Sequence, residues 1–452
     1  MDEIIEAGRF TLHSFKIASY DLSKVFELKG IIHSFQISES ITKGSIRGFA
    51  KMFDTVGLLQ EFPLRGEEFI EIHYSDFYGN EHVDRMFLYA IADVRQPNPS
   101  NPSQWEYTMH FVSRPKVFSE NVRIRRAFAG PPANREQGGK ISEFVKTVYD
   151  QYYGDLITPA IFKNGVKVPT TTTQMTPSDT AKELKVQDTD GRHRLVVPNY
   201  SPEQTMNFFA RRAFSGSSFS QSFRFFENRK HYVFATNEHL QNEIYSGSFE
   251  FRQSFKPDQT LEGQLELQSS IIEIDYGEVV NTIDDINSGA YERAVYEVDV
   301  MNSVIEPRFY SYADNFKTNN PDEKLYHTDK FIRERIEKVS EKWVLKDYST
   351  EGMPEGKGIR YNTHYSEIYN KKGAHLYHTN KNRINVTIYG NNEIVAGSSI
   401  VINLLKHFSD DTEQRDIERS GLFLVESIEN VFYENTYKQK LTLIRNGIGD
   451  AA

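Results

Sequence analysis

The sequence predicts a mainly β protein with a few helices, an α+β chain built around two copies of one antiparallel β-domain. Three observations carry that expectation. Alternation of apolar and polar residues recurs along much of the chain, the mark of strands with one buried face. Two three-strand stretches, one from Phe62 to Ser113 and one from Arg383 to Gly447, run in the same order with glycines at matching places. Aromatic residues are abundant, with 25 Tyr and 32 Phe, which suits extensive packed sheet faces.

The later stretch restarts after Gly397 as SIVIN, continues after Gly421 as LFLVESIENVF and closes with YKQKLTLIR. In the earlier one Gly66 precedes Phe69, Ile70 and Ile72, then come RMFLYAIADVRQ and WEYTMHFVS. Gly66 aligns with Gly397, Phe87-Leu88 with Phe423-Leu424, and Met109 and Phe111 with Leu441 and Leu443. Any two three-stranded meanders share some features. Order, glycine position and strand spacing agree together here, which favours a diverged internal duplication. Gly66, Gly289, Gly397 and Gly421 are read as structural turns of the repeated domain.

Taken in order, residues 10–53 read as a long hairpin that turns at Lys43-Gly44. Asp54 is placed to cap a short helix ending at Pro63. Strands at 66–75, 85–96 and 104–114 complete a first β-domain, 1–115, with a proline-rich loop at Gln96 to Gln104. A flanking α+β unit follows at 116–261. It contains an amphipathic helix from Gly139 to Gly154 and an extended excursion within 155–200. Ser201, Pro202 and Gln204 spell a helix start with a capping box, and a hairpin turning at Glu227-Asn228 comes next. The second copy is assigned to 262–302 and 376–452. Its first part is a long strand, a turn at Asn287-Ser288-Gly289 and a return strand. Residues 303–375 are read as an insertion with one helix, Asp329 to Val344.

At 452 residues the chain is long enough for two to four domains. A net charge of −10 argues against specific nucleic-acid binding, which needs a cationic face. With no cysteine there is no disulfide framework and no thiolate metal site. The acidic start lacks the pattern of a signal peptide, so synthesis in a cytosol is expected, and no apolar run is long enough for membrane insertion. His375 and His378 lie close in GAHLYH without further ligands at usable spacing, so they are read as a surface loop. No G-x-S-x-G elbow, HExxH helix or phosphate loop occurs, and acidic residues are too evenly spread to nominate an acid–base pair. The expectation is no enzyme activity, no cofactor and no metal.

Two similar β-domains in one chain let three chains present six equivalent barrels in a ring, matching a sixfold tube to a threefold partner. The sequence also resembles a family, the central baseplate hub proteins of contractile phage tails. That hub fold is shared with tail-associated proteins of long-tailed phages and the first part of the type VI secretion spike protein VgrG. Four segments carry the resemblance: 54–74, 201–236, INSGAYERAVYEVDVMNSVIEPRFYSY at 286–312, and the closing unit from Gly390. The resemblance implies a homotrimeric ring with a central channel, two tube-type barrels and two flanking domains per chain. It implies a tail tube or tube initiator on one side, a trimeric central spike on the other and contact with a tape measure protein. Its place is the virion baseplate, after assembly in the host cytoplasm. The sequence stops at Ala452 without an OB-fold, lysozyme or β-helix, so the spike is expected to be a separate protein. Competing readings are the hub region of a tail-associated lysin, an all-β carbohydrate-active protein and an adhesin.

Overall fold

The computed structural model describes residues 6–62, 64–97, 103–129, 138–154, 162–163, 166–167, 182–243, 245–251, 260–277, 282–300, 303–317, 340–345, 364–406 and 415–447. The first barrel is made of β1 (Thr11–Ala18), β2 (Val25–Glu27), β3 (Ile32–Ser40), β4 (Arg47–Asp54), β5 (Phe69–Ser75), β6 (Glu81–Arg95) and β7 (Trp105–Val112). Their spatial order is β2-β1-β5-β6-β7-β4-β3, and all these pairings are antiparallel. Period-two alternation decides which residues enter the core. In β4, Gly48, Ala50, Met52 and Asp54 point inward while Arg47, Lys51 and Phe53 face out. The core is rich in aromatic rings, including Phe15, Phe35, Tyr74 and Phe111. Asp54 is fully buried at the start of α1 (Leu58–Glu61). Gly57 holds the N-cap position, and the Asp54 carboxylate accepts from the Val56, Gly57 and Leu59 amides at 3.0, 2.8 and 3.4 Å.

The flanking unit begins with α2 (Arg114–Glu120), β8 (Ile124–Phe128) and α3 (Ile141–Tyr149), which runs on as a π-turn over Asp150–Gly154. Of the expected excursion, 155–161, 164–165 and 168–181 lie outside the described residues. Between and after them are the two-residue pair β9 (Phe162–Lys163) and β10 (Val166–Lys167), then β11 (Glu183–Val186) and β12 (Leu195–Tyr200). Helix α4 (Pro202–Ala210) starts as its sequence dictates. The Gln204 amide donates to Ser201 Oγ at 3.3 Å, and the Ser201 amide donates to Gln204 Oε1 at 3.0 Å. Strands β13 (Arg224–Glu227) and β14 (His231–Ala235) form the expected hairpin, with β11 parallel to β14. Phe144, Val148, Met206, Phe209 and Phe234 fill this unit's own core.

After α5 (Asn237–Glu243) comes the second barrel, whose strands are scattered along the chain. It opens with β15 (Tyr245–Phe251), α6 (Leu261–Gln268) and β16 (Ser270–Asp275). Then come α7 (Thr282–Asn287) and a separate sheet of β17 (Glu292–Asp299), β18 (Val304–Ser311) and β19 (Ser340–Leu345). Helix α8 (Tyr365–Lys381) leads back to β20 (Ile384–Tyr389), β21 (Ser399–Asn403), β22 (Gly421–Tyr433) and β23 (Thr436–Ile444). Pairings β15–β21, β21–β22, β22–β23, β23–β20, β20–β16 and β16–β15 close a six-stranded barrel.

Five strands of this barrel repeat the first barrel in chain order, spatial order and sense: β16, β20, β21, β22 and β23 stand where β3, β4, β5, β6 and β7 do. The register also repeats. Phe69, three residues after Gly66, faces Phe87, and Ile400, three after Gly397, faces Phe423. The sixth strand differs: β15 is parallel to β21, whereas β1 is antiparallel to β5.

Several sequence expectations are corrected. The long strand starting at 262 is helix α6 up to Gln268, with Thr260 Oγ1 capping it by accepting from the Gly263 amide. The stretch expected to return to that strand, β17, instead pairs with β18 and β19 outside the barrel. The strand that closes onto β16 is β20, so the insertion between these two hairpin arms runs from 276 to 383. Strand β15, expected in the flanking unit, belongs to the second barrel. Of the expected helix 329–344, residues 329–339 lie outside the described residues and Ser340–Leu345 is strand. In the proline-rich loop, 98–102 also lie outside them.

Candidate functional site at the junction of the two barrels

The two barrels are joined edge to edge. Strand β22 carries β23 along one side. On its other side Gly421–Leu424 pair with β21 and Ser427–Tyr433 pair with β3, and the change of partner coincides with a bulge at Glu426 in the β22–β23 pairing. One long strand therefore belongs to both barrels, and a bulge is the device that lets it change partners. The consequence is one continuous 13-stranded sheet.

A wedge from the flanking unit locks this junction. It is the β13–β14 turn, Asn228-Arg229-Lys230. The Asn228 amide group donates to the Ala396 carbonyl of the second barrel at 3.1 Å. Glu227 accepts from the Ile46 amide of the first barrel at 3.2 Å and pairs with Lys182 at 2.7 Å. Lys230 pairs with Glu393 at 2.6 Å. Arg229 sits at the centre. Its Nη1 donates to Tyr74 Oη at 3.0 Å in the first barrel and to Asn392 Oδ1 at 2.6 Å in the second. Its Nε and Nη2 lie 3.4 Å from Glu39 and Asp84, both in the first barrel, and its amide donates to Glu39 Oε2 at 3.1 Å. The network continues into the second barrel. Tyr437 Oη lies 3.0 Å from Asn392 Oδ1 and 2.7 Å from Asn430 Oδ1, and Asn430 Nδ2 donates across to the Ile37 carbonyl of β3 at 3.1 Å.

The electrostatics follow from burial. Burial pulls the Arg229 guanidinium down, but Asp84, Tyr74, Tyr437 and Glu39 outweigh it and hold it well above its usual range. Burial pushes the Glu39 carboxyl up against the pull of Arg229, and pushes the Tyr74 hydroxyl up as well. A cation this enclosed is tolerated because two carboxylates and two oxygen acceptors surround it, and removing it leaves those carboxylates uncompensated. The arrangement fixes the relation of two barrels and a third unit.

The four glycines singled out in the sequence all have positive φ: 82° at Gly66, 68° at Gly289, 88° at Gly397 and 139° at Gly421. Gly66 and Gly397 lead into β5 and β21, and Gly421 opens β22. Gly289 is not in a hairpin of a barrel. It follows α7, and its amide donates to the Ile286 carbonyl. The conformation matters most at Gly397, where an added Cβ would lie 2.9 Å from the Phe226 ring of the wedge hairpin.

One histidine pair was misplaced by the sequence reading and a second cluster was not foreseen. His375 and His378, expected on a surface loop, are buried on one face of α8. Tyr312 stacks on His378 at 3.9 Å between centroids, and His378 Nε2 lies 3.0 Å from the Ala290 carbonyl. Burial, with His378 and Lys371 nearby, pushes His375 down to about 3. Helical i,i+3 spacing was the available signal, but Gly373 in the middle of the stretch hid it. That glycine is needed because the Arg293 guanidinium lies where its Cβ would be, donating to the Ser288 and Gly289 carbonyls at 2.9 and 3.0 Å. On the first barrel, His13, His73 and Glu81 bring ligand atoms within 4.8 Å of one another, a grouping the sequence reading did not foresee. His73 is 3.3 Å from Glu81, and His13 Nε2 is 2.5 Å from Ser75 Oγ. No described helix is long and apolar enough to cross a membrane.

No family model and no curated protein matches the sequence. Solved structures do match in fold. The tail protein from Neisseria meningitidis MC58 is 9% identical over 97% of this chain and 98% of its own, with a TM-score of 0.50. The 43 kDa tail protein of prophage MuSo2 from Shewanella oneidensis is 7% identical over 96% and 98%, with a TM-score of 0.48. Prophage tail protein gp18 from Listeria monocytogenes EGD-e is 11% identical over 96% and 95%, with a TM-score of 0.45. The chain shares its fold, over nearly its whole length, with a tail protein, the fold type that the resemblance to baseplate hubs implies.

Proposed function

We propose that this chain is the central hub of a phage tail baseplate. Three copies close into a ring that presents six barrels around a channel. One face of the ring meets the sixfold tail tube or its initiator, and the other holds a trimeric central spike. The channel passes the tape measure protein and then the genome. The role is structural, within the virion baseplate, after assembly in the host cytoplasm. A net charge of −10 suits a conduit that does not retain nucleic-acid phosphates. The first tube-type domain is then 1–115, and the second is β15, β16 and β20 to β23, with Gly66, Gly397 and Gly421 as their structural turns.

The observation that carries this reading is the welded pair of barrels. Five strands repeat in order and register, β22 is shared, and Arg229 is buried between them. A flexible tether would suffice for two independent binding modules. A rigid pair is what a ring of six equivalent positions requires. Native mass spectrometry across concentration tests it. The expected particle contains three chains of 52.3 kDa. A mass that stays at one chain, even with candidate tube and spike proteins added, overturns it.

A further inference from the structure

A second cluster of cations lies away from the wedge and lines a cavity of about 230 Å³. Arg211 enters from the end of α4, Arg224 from the first residue of β13 and Lys372 from α8, with Ile41 and Thr42 of the first barrel forming part of the wall. Lys372 Nζ donates to the Ala210 carbonyl at 3.3 Å, which uses one of its three protons. Arg224 Nε is buried without a hydrogen-bond partner among the described residues. The acid that acts on Arg224 is Glu426, and it is already ion-paired with Arg383 at 2.6 Å. Burial and the two arginines push Lys372 down to about 8. It is still protonated at neutral pH, and neither guanidinium can shed its charge.

Three like charges facing one cavity repel each other unless something negative enters. A guanidinium presents paired donors that fit a polyatomic oxyanion better than a halide, and the cavity has room for one. We propose that this cavity binds a small oxyanion of the phosphate or carboxylate class, held by Arg211, Arg224 and Lys372. The site lies within one chain and does not depend on ring assembly.

The test uses the full chain at constant ionic strength. Melting temperature and isothermal titration are followed with inorganic phosphate in one arm and citrate in another, with chloride as the control. Saturable binding of either oxyanion, absent with chloride, is expected, and the arm that binds more tightly identifies the class. Arg224→Gln and Lys372→Met should each weaken it at least about tenfold. Lys372→Met should also leave the ligand-free chain no less stable, because it removes a desolvated charge from among like charges. Arg211→Gln, at the end of a helix, gives a folded variant in which binding is still expected to weaken. Neither oxyanion binding beyond the chloride control, or wild-type affinity retained in all three variants, overturns the proposal.

Discussion

The two barrels share a strand plan and little else. The first is packed with rings: Phe10 and Tyr74 meet Phe432 edge-on at 5.1 and 4.9 Å, and Phe432 stacks between Phe35 and Tyr437 at 4.3 and 4.2 Å. The second is packed with branched aliphatics, among them Ile384, Val386, Ile388, Ile400, Ile402, Val425 and Ile428, with Phe249 and Phe423 as its rings. In the first barrel the β3–β4 arms are joined by a short turn. In the second the matching arms are separated by residues 276–383. Strand order and register are thus set by alternation and turn geometry, while the core needs only apolar volume that fills the space. A barrel can also accept a large insertion at a hairpin tip, because the tip is outside the core.

The largest expected effect is at the weld between the barrels. Arg229→Met leaves the buried Glu39 and the half-buried Asp84 without their cation and should cost about 3–5 kcal/mol. Adding Glu39→Gln and Asp84→Asn should recover much of that loss. Urea unfolding followed by tryptophan fluorescence reads it, because the chain has two tryptophans, Trp105 in the first barrel and Trp343 in the insertion. If Arg229→Met unfolds with an unchanged midpoint, the wedge does not hold the barrels.

The difference between the cores is tested next. Phe432→Ala removes the ring stacked between two others and should cost about 3–5 kcal/mol. Ile400→Val trims one methylene from a fully buried position in the second barrel and should cost about 1 kcal/mol. Comparable losses from the two would show that the aromatic core is not packed as described.

Acid separates barrels from the other units. Burial holds His193, in the flanking unit, down at about 4 and His375, in the insertion, down at about 3, against an ordinary 6.5. Both are neutral when folded and bind a proton more readily when unfolded. Their contribution is full above pH 6.5 and is lost as pH falls towards the folded values, by about 2 kcal/mol each at pH 5. Hydrogen exchange at pH 5 and pH 7 should show α3, α8 and their neighbours opening first while barrel strands stay protected. Uniform loss of protection would contradict this.

The smallest effect compares the two matching glycines. Gly66→Ala meets nothing closer than the Tyr89 carbonyl at 3.5 Å, so its cost is the left-handed backbone, about 1 kcal/mol. Gly397→Ala adds the contact with Phe226 and should cost about 1–2 kcal/mol more by thermal melting. Equal costs would mean the wedge hairpin yields freely at that point.

These comparisons also show what was legible beforehand. The β5–β6–β7 and β21–β22–β23 meanders were readable because alternation and glycine spacing are local signals, as was α4 from Ser201, Pro202 and Gln204. Helix α6 was misread because Leu261, Leu265 and Leu267 fit a strand as well as a helix, and the Thr260 cap was overlooked. Strand β17 was given the wrong partner because its true one, β18, is close behind it while the barrel's hairpin closes across a long insertion. The weld could not be read at all. Arg229 meets Glu39 and Asn392, far from it on either side in sequence, and a lone charged turn residue looks the same whether solvated or buried.

The most direct test of the hub reading is electron-microscope class averaging of the purified particle, alone and with candidate spike protein. The expected view is a threefold ring with an open centre and six barrel-sized lobes, two per chain, held at one fixed spacing. A compact particle without a central opening, or barrels at variable spacing within a chain, would contradict it.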